Sequence, residues 1–229
     1  MKKKNKILFF GKFGDQYSKK LLSYLKNNFS NVKYVASTTH DKSINKKILE
    51  WSGDYIFSFR SYFILPESLI KSAKIAAINF HPGPPNYRGI GCVNFALYNE
   101  ERTYGVIAHL MKKKIDNGEI LKYTKFSIKH KTSLEEVLNK THFELYKLAM
   151  YFFKKIYLNK LNIKKCINKN RKINWSKKIY TKQDMLKLYN LNIKINKKEF
   201  KKIIKATVYK NFMPHITIFN KRFIYTNDR

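Results

Sequence analysis

Three polar side chains near the middle of the sequence have the types and the spacing to act on one reacting atom. Asn79 and His81 lie two residues apart, so in a β-strand both side chains project from the same face. An amide donor and an imidazole would then converge on that atom. Asp116 could hydrogen-bond the imidazole of His81, orient it and raise its pKa. Asp116-Asn-Gly118 is also ordinary β-turn sequence, so a purely structural interpretation of this aspartate stays open.

The segment that follows His81 predicts a stiff loop. Pro82-Gly-Pro-Pro85 restricts the backbone to a non-helical path, while Gly89 and Gly91 permit close approach of the backbone to a ligand. The loop lies at the carboxyl end of the fourth predicted strand, where open α/β sheets bind their ligands. We interpret Gly11-x-x-Gly14, after the first predicted strand, as a plain strand-to-helix turn.

The other histidines have no comparable pattern around them. His109 lies inside a predicted strand and is interpreted as a packed core residue. The remaining four are interpreted as structural: His40, His130, His142 and His215.

The elements that must position these residues alternate along the first half of the chain. Short apolar runs predict strands, and helical patterns between them indicate βαβ units with a mostly parallel sheet. The predicted strands are Ile7–Phe10, Val32–Ala36, Tyr55–Phe59, Ile75–Phe80 and Tyr104–Met111, with residues 118–128 as a further candidate. The predicted helices are Tyr17–Leu25, Ile44–Trp51, Pro66–Ser72 and Val93–Tyr98. The fold class is therefore predicted as α/β with a Rossmann-like, mostly parallel sheet.

The second half of the chain begins with a long amphipathic helix. Thr132-Ser-Leu-Glu135 has the pattern of a capping box, and apolar residues continue at helical spacing as far as Phe152. The stretch Asn159–Lys172 is rich in lysine and asparagine. It predicts a boundary between a catalytic domain, residues 1–158, and a small C-terminal subdomain, residues 159–229.

The C-terminal subdomain is predicted to end in a β-hairpin. Two short alternating runs, Ile216–Phe219 and Arg222–Tyr225, flank Asn220-Lys221. We predict a two-residue turn there, because asparagine tolerates the positive φ that such turns require.

The composition limits the possible functions. The chain has 48 Lys plus Arg against 15 Asp plus Glu, a formal net charge of +33, and 44% hydrophobic residues, which excludes a disordered chain. Only six of the basic residues are arginine, and the lysine excess accompanies abundant asparagine and isoleucine, as AT-rich codon usage would produce. A nucleic-acid partner is therefore disfavoured, although an anionic substrate would benefit from this charge. Because the excess is greatest in residues 121–229, any functional basic surface is expected mainly there.

The cysteines and the apolar runs indicate the cellular setting. Cys92 and Cys166 lie far apart and form no disulfide framework or zinc-binding pattern, which predicts a reducing, cytoplasmic setting and no metal. The longest apolar runs are too short for a membrane span, so none is expected.

Several motifs together resemble the signature of the folate-dependent formyltransferases. They are Asn79-x-His81-Pro, the loop through Tyr87-Arg88-Gly89, the strand ending in His109, and Ile115-Asp116-x-Gly118-x-Ile120. The loop after the histidine reads Gly-Pro-Pro, where methionyl-tRNA formyltransferases typically have Ser-Leu-Leu-Pro, and the C-terminal segment is short for their barrel domain. The sequence is thus most similar to the sugar-nucleotide N-formyltransferases, which act on dTDP- or GDP-linked amino-dideoxyhexoses destined for surface polysaccharides such as O-antigen of lipopolysaccharide.

The resemblance implies a reaction and a role for each polar residue. A formyl group would pass from 10-formyltetrahydrofolate to the amine of a nucleotide-linked amino-dideoxy sugar, of the dTDP-4-amino-4,6-dideoxyglucose type. Asn79 would donate a hydrogen bond to the developing oxyanion, and His81 would act as a general base or a second oxyanion donor. Asp116 would hold His81 and help to move the proton lost by the amine.

The resemblance also implies binding surfaces and partners. The pterin would lie against the backbone of Phe63, Ile64 and Leu65 and against the loop that leads to Asp116. The nucleotide diphosphate would contact the segment Tyr87, Arg88 and Gly89, and related sugar enzymes suggest a homodimer. Two alternatives stay open: a methionyl-tRNA or glycinamide ribonucleotide formyltransferase, and a noncatalytic basic nucleic-acid-binding protein.

Overall fold

Ten strands and eight helices make up the part of the chain, residues 1–38 and 43–226, that the computed structural model describes; His40 lies outside it. The strands are β1 (Lys3–Lys12), β2 (Phe29–Ser37), β3 (Gly53–Phe59), β4 (Ala73–His81), β5 (Arg88–Gly89), β6 (Thr103–Leu110), β7 (Ile120–Ser127), β8 (Ile179–Tyr180), β9 (His215–Ile218) and β10 (Lys221–Ile224). The helices are α1 (Gln16–Asn28), α2 (Lys46–Leu49), α3 (Glu67–Lys71), α4 (Cys92–Tyr98), α5 (Leu134–Tyr157), α6 (Ile163–Asn170), α7 (Lys182–Tyr189) and α8 (Lys197–Thr207).

The central sheet has six strands in the order β2-β1-β3-β4-β6-β7. The first four are parallel, whereas β6 runs antiparallel to β4 and β7 runs antiparallel to β6. The predicted α/β class with a mostly parallel sheet is therefore confirmed. The chain order reverses at β1, which pairs with both β2 and β3, and such a switch point opens a crevice at the carboxyl ends of the strands.

Apolar residues on both faces of the sheet explain why these strands form. Along β1, Ile7 and Phe9 face a core that includes residues of α1 and α5, whereas Leu8 and Phe10 face a second core built around Trp51. All four β1 side chains are fully buried, as expected for a parallel strand covered by helices on both sides.

The long helix α5 begins one residue later than its sequence pattern suggested. Ser133 is the N-cap. Its side chain accepts a hydrogen bond from the backbone N–H of Glu136, and its own backbone N–H donates to the Glu136 carboxylate. Thr132-x-x-Glu135 has the same pattern, but the capping box at Ser133 starts the helix so that Leu134, Val137 and other apolar residues are buried. A capping box satisfies two otherwise unpaired donors at the helix start.

Residues after 158 share cores with residues before it. Helix α6 packs on β7, and its Asn170 side chain donates to the carbonyl of Leu121. Helix α8 packs on α4, where the Asn94 side chain donates to the carbonyl of Ala206. The division at residue 158 stays a prediction from sequence, and residues on both sides of it pack into the same cores.

The terminal hairpin is present, with its turn one residue earlier than predicted. Strands β9 and β10 are antiparallel, and Ile218 pairs with Lys221, so Phe219 and Asn220 form the two-residue turn. Both have positive φ, of 45° and 60°, the backbone conformation of a type I′ turn. Separately, among the described residues no helix is long and apolar enough to cross a membrane.

Candidate active site

Strands β4 and β6 and the loop after β6 bring four polar side chains together. Asn79 and His81 end β4, and His109 of β6 pairs directly with Asn79. Asp116 lies 3.4 Å from His81 (Oδ2 to Nδ1) and 3.5 Å from His109 (Oδ1 to Nε2). The Asn79 amide nitrogen is 3.1 Å from His109 Nε2 and 3.5 Å from Asp116 Oδ1. The structure thus brings the three predicted residues together and adds a histidine to them.

His109, interpreted from sequence as a packed core residue, is part of this cluster. Its ring is buried, and its Nδ1 lies 2.7 Å from the carbonyl oxygen of Leu110. Because a carbonyl can only accept, Nδ1 donates there, and with the proton on Nδ1 the ring accepts the Asn79 amide at Nε2. His109 therefore fixes the orientation of the Asn79 amide. The sequence signal was its place in the formyltransferase-like motifs, but the contact depends on the antiparallel register of β4 and β6.

His81 is held as a cation. Its Nε2 lies 2.9 Å from the Tyr87 carbonyl and its Nδ1 faces the Asp116 carboxylate, so both ring nitrogens face acceptors and both carry protons. Burial opposes the charge, but the Asp116 carboxylate, then the Cys92 sulfur and the Tyr87 carbonyl, together raise the pKa of His81 to about 9. At neutral pH the ring is an imidazolium with no nitrogen free to act as a base.

Asp116 is the matching anion. Burial favours its neutral form, but the positive charge of His81, ahead of its other contacts, keeps the pKa of Asp116 well below its usual range. The backbone N–H of Gly89 also donates to Asp116 Oδ2 at 3.0 Å. Asp116 is 6% exposed and has a φ of 45°, a backbone conformation that few aspartates adopt and that the surrounding bonds must hold.

Two glycines allow the loops to approach this closely. A Cβ on Gly83 would lie 2.7 Å from His81 Nε2, and a Cβ on Gly118 would lie 1.6 Å from the carbonyl oxygen of Leu110. A side chain at either position would therefore displace His81 or the Asp116 loop. This explains the glycine within the proline run and the glycine after Asp116.

Tyr87 and Arg88 do not face the ligand side, in contrast to the predicted substrate contact. Both are buried, and the Tyr87 hydroxyl donates to Glu101 at 2.9 Å. The Arg88 guanidinium donates to the carbonyls of Ser176 and Ile115, at 2.8 and 2.9 Å. Residues that follow in the C-terminal segment cover this loop, so an arginine that looks like an exposed loop residue in sequence joins two loops instead.

A cavity of about 680 Å³ opens at the carboxyl ends of the strands, beside this cluster. One part of the cavity, here called its inner end, is lined by residues of the cluster and its loop: Asn79, His81, Gly89 and Asp116. Its apolar wall consists of residues from the loop after β3, from α3 and from the end of β6: Phe63, Ile64, Leu65, Ile70 and Met111. The predicted pterin-binding residues therefore do line the cavity, and Gly89 is the one member of the predicted substrate segment that does.

Cationic side chains surround the rest of the cavity. In the described part of the chain they are Lys12, Arg60, Lys112, Lys113, Lys114 and Lys182. Most precede residue 121, whereas the sequence predicted a functional basic surface mainly in the second half. The first half carries the smaller net charge, but its strand ends are where the cavity lies.

One of the histidines interpreted as structural also reaches the cavity. His142 of α5 lines it near Arg60, which forms an ion pair with Asp15. Burial, and after it the positive charge of Arg60, lower the pKa of His142 well below its usual value. His142 is therefore neutral at pH 7 and is available to hydrogen-bond a ligand.

This α/β fold thus places a buried polar cluster beside a cavity at the carboxyl ends of its strands. Residues 13–151 match the family model described as formyl transferase, and the chain belongs to that family. The resemblance identified from the motifs is therefore confirmed.

Two curated relatives illustrate the range of the family. The bifunctional polymyxin resistance protein ArnA of Wigglesworthia glossinidia brevipalpis is 34% identical over 143 residues, 57% of this chain and 21% of that protein. A methionyl-tRNA formyltransferase of Campylobacter curvus (strain 525.92) is 31% identical over 137 residues, 58% of this chain and 45% of that protein. The chain thus spans less than half the length of either relative.

A solved structure matches nearly the whole chain. The N-formyltransferase from Helicobacter canadensis, in complex with folinic acid and dTDP-3-aminofucose, superposes with a TM-score of 0.71. The match covers 95% of this chain and 86% of that chain at 18% sequence identity. The two proteins therefore share one fold, including the part of this chain that follows residue 151.

Proposed function

We propose that this protein transfers a formyl group from 10-formyltetrahydrofolate to the amine of a nucleotide-linked amino sugar. The observation that carries the proposal is the His81–Asp116 ion pair, which with the Asn79 amide lines a cavity that apolar and cationic side chains also line. The family and the full-length match with an N-formyltransferase bound to folinic acid and dTDP-3-aminofucose support it.

The cavity walls fit the formyl donor. Phe63, Leu65 and Met111 offer an apolar surface next to the cluster, which suits a flat pterin ring. When bound, 10-formyltetrahydrofolate supplies the formyl carbon that the sugar amine attacks. Asn79 has two amide protons, and the structure directs one to His109 Nε2 at 3.1 Å. The other makes only a long contact of 3.5 Å with Asp116 Oδ1, and we assign it to the formyl oxygen as that oxygen becomes negative.

The charge state of His81 narrows its role. The sequence left a general base and an oxyanion donor as alternatives, and a ring with both nitrogens protonated cannot act as the base. We assign His81 to electrostatic stabilisation, because a buried imidazolium next to the formyl oxygen lowers the energy of its negative charge. The new bond from the amine nitrogen to the formyl carbon replaces the bond from that carbon to the folate nitrogen. We assign to Asp116 the transfer of the proton that the amine loses to the folate nitrogen that leaves.

The cationic side of the cavity suits the nucleotide diphosphate. Because Arg88 uses its guanidinium within the chain, we assign diphosphate binding to the cavity-lining cations instead, with Lys12, Arg60 and the Lys112–Lys114 run as the main contributors. The identity of the sugar, with dTDP-4-amino-4,6-dideoxyglucose as the type compound, stays part of the proposal. So do a cytoplasmic location, a homodimer and a role in surface polysaccharide synthesis.

A methionyl-tRNA substrate is the second candidate. The formal net charge of +33 and the 31% identity with a methionyl-tRNA formyltransferase favour it. The sugar substrate is better supported, because the match with that relative covers 58% of this chain while the match with the Helicobacter canadensis enzyme covers 95%.

Product analysis tests both candidates together. Purified protein is incubated with 10-formyltetrahydrofolate and, in parallel, dTDP-, GDP- and UDP-linked amino sugars, glycinamide ribonucleotide or methionyl-tRNA. We expect mass spectrometry to detect formyl addition to a sugar nucleotide, and none in a control with Asn79→Ala protein. Formyl addition confined to methionyl-tRNA or to glycinamide ribonucleotide would replace the proposed substrate, and none with any acceptor would refute the proposed function.

A further inference from the structure

A segment of the C-terminal half crosses the loops that carry the catalytic cluster. Residues 174–180, here called the strap, bond to the loop after His81 at several points. The backbone N–H of Ser176 donates to the Pro85 carbonyl at 3.0 Å, and the N–H of Ile90 donates to the Tyr180 carbonyl at 2.9 Å. Strand β8, at the end of the strap, also pairs with β5. The strap therefore fixes the path of the loop.

Trp175 is the strap residue in contact with the cluster itself. Its ring lies edge-on to both histidines, with centroid distances of 5.8 Å to His81 and 5.1 Å to His109. Its indole N–H donates to the carbonyl of Gly118 at 2.8 Å. Trp175 thus contacts both imidazoles and the loop that carries Asp116.

The Asp116 loop is held on both sides of the aspartate. Arg88 bonds the carbonyl of Ile115, immediately before Asp116, and Trp175 bonds the carbonyl of Gly118, two residues after it. Asp116 itself adopts a φ of 45°, which is unfavourable for a non-glycine residue. The two bonds oppose relaxation of the loop toward a more common turn conformation.

We propose that Trp175 is a positioning residue, which holds the Asp116 carboxylate against His81 through its hydrogen bond to Gly118. The inference rests on the proposed formyl transfer for its kinetic consequence but not for its structural one. If the Gly118 bond is lost, the loop relaxes, the Asp116–His81 distance grows, and the imidazolium loses its counterion. The ring of Trp175 packs against the two imidazoles and also lies 6.0 Å from the guanidinium carbon of Arg88, contacts that phenylalanine can keep in part.

Substitution of Trp175 by phenylalanine separates the two contributions. Trp175→Phe keeps an aromatic edge against the two imidazoles but removes the N–H donor to Gly118. Trp175→Leu removes both. The matched control is Trp51→Phe, the same substitution in the tryptophan of the second core described above. Each protein is compared with wild type by thermal unfolding, by kcat and KM for formyl transfer, and by 15N NMR titration of His81.

The expected result is specific to positioning. Trp175→Phe should lower kcat by about tenfold with KM for the sugar nucleotide within about twofold, because small displacements of catalytic groups cost rate rather than substrate binding. The pKa of His81 should fall in the same variant as the carboxylate recedes. Trp51→Phe should leave both quantities at their wild-type values.

Two outcomes would overturn the inference. One is a Trp175→Phe protein that folds and keeps the wild-type kcat and His81 titration, even if its Tm falls. The other is a Trp51→Phe protein that changes kcat and the His81 titration as much as Trp175→Phe does. If wild type transfers no formyl group, the proposed function fails, and the NMR titration still decides whether Trp175 positions Asp116.

Discussion

The two ends of the cavity are built in opposite ways. At the inner end, His81 and Asp116 are buried, their polar groups are paired with each other and with backbone groups, and Asp116 also lies against His109. At the outer end, Lys112, Lys113 and Lys114 are exposed, and only Lys112 has a short ion pair, with Glu119 at 2.7 Å, in the described part of the chain. The inner end is thus preorganised for one reaction, while the outer end offers charge with little fixed geometry.

The largest effect is expected from removal of the inner-end groups. Asn79→Ala, His81→Ala and Asp116→Asn should each lower kcat by at least about a hundredfold, because all three act on one transition state. The losses should not add in double variants. Steady-state kinetics on proteins with a folded circular dichroism spectrum provide the measurement. Near-normal turnover by a folded His81→Ala protein would show that the reaction takes place elsewhere.

The charge of His81 predicts how this end responds to pH. The pKa of His81 is raised from 6.5 to about 9, so the folding stability that its charged form contributes is complete below pH 6.5 and is lost as pH rises through about 9. The pKa of Asp116 is lowered, so the folding stability that its carboxylate contributes is present above the ordinary pKa of 3.8 and is lost as the pH falls below that value. Because the imidazolium is also assigned to stabilise the transition state, we expect kcat to decline about tenfold per pH unit above about 9.

An NMR titration provides the direct check on that charge. In wild type the His81 ring should show no titration step between about pH 5 and 8, and in Asp116→Asn its pKa should fall, because burial favours the neutral ring and the opposing carboxylate charge is gone. A wild-type His81 that titrates near pH 6.5 would contradict the cationic assignment and return the general base to consideration.

The outer end should affect substrate binding and not turnover. Replacement of Lys112, Lys113 and Lys114 by glutamine should raise KM for the sugar nucleotide by about tenfold at low salt, and by less at physiological salt where screening is stronger. We expect kcat to stay within about twofold of wild type. Initial rates at several ionic strengths measure both.

Lysines away from the cavity provide the matched control for that experiment. Glutamine at Lys160, Lys164 and Lys165 removes the same charge from Asn159–Lys172, and should leave kcat/KM for the sugar nucleotide nearly unaltered. If both triple variants behave alike, the cavity-lining run is not a binding surface. If both lose activity only with methionyl-tRNA, the tRNA substrate gains support.

The smallest effect concerns His142, at the cavity wall between the two ends. Because its pKa is lowered in the folded state, the unfolded chain binds its proton first, and stability falls as pH drops below about 6.5. His142→Gln should therefore lose less Tm than wild type between about pH 7 and 5, by about 3 °C for a chain of this size. His130→Gln, at an exposed position, should match wild type. An equal acid sensitivity of the His142→Gln and wild-type proteins would contradict a buried neutral ring.

Features that depend on neighbouring residues in the chain could be predicted from the sequence, whereas contacts between distant strands could not. Asn79 and His81 are separated by two residues on one strand, so strand geometry alone predicts that they converge. The α/β order and the sheet followed from alternating patterns in the same way. His109 was misjudged, because its contact with Asn79 depends on which strands pair and in which register.

Residues covered by distant segments were the hardest to predict. Tyr87 and Arg88 look like loop residues that would meet a ligand, and they are buried because the strap lies over them. Trp175 gave no sign of a role, because it lies far along the chain from both histidines that it contacts. Turn and cap positions were wrong by one residue at Ser133 and Phe219, where adjacent residues offer equally good local chemistry.

The strap has a consequence for the order in which the protein acquires activity during synthesis. All six strands of the central sheet precede residue 128, so a nascent chain contains the whole sheet, with Asn79 and His81 on one strand, well before the strap is made. The bond from Trp175 to the Asp116 loop forms only after the strap has left the ribosome. A chain that ends before the strap would carry Asn79, His81 and Asp116 without the bond that holds the Asp116 loop, and also without α7 and α8, which complete the core around α4.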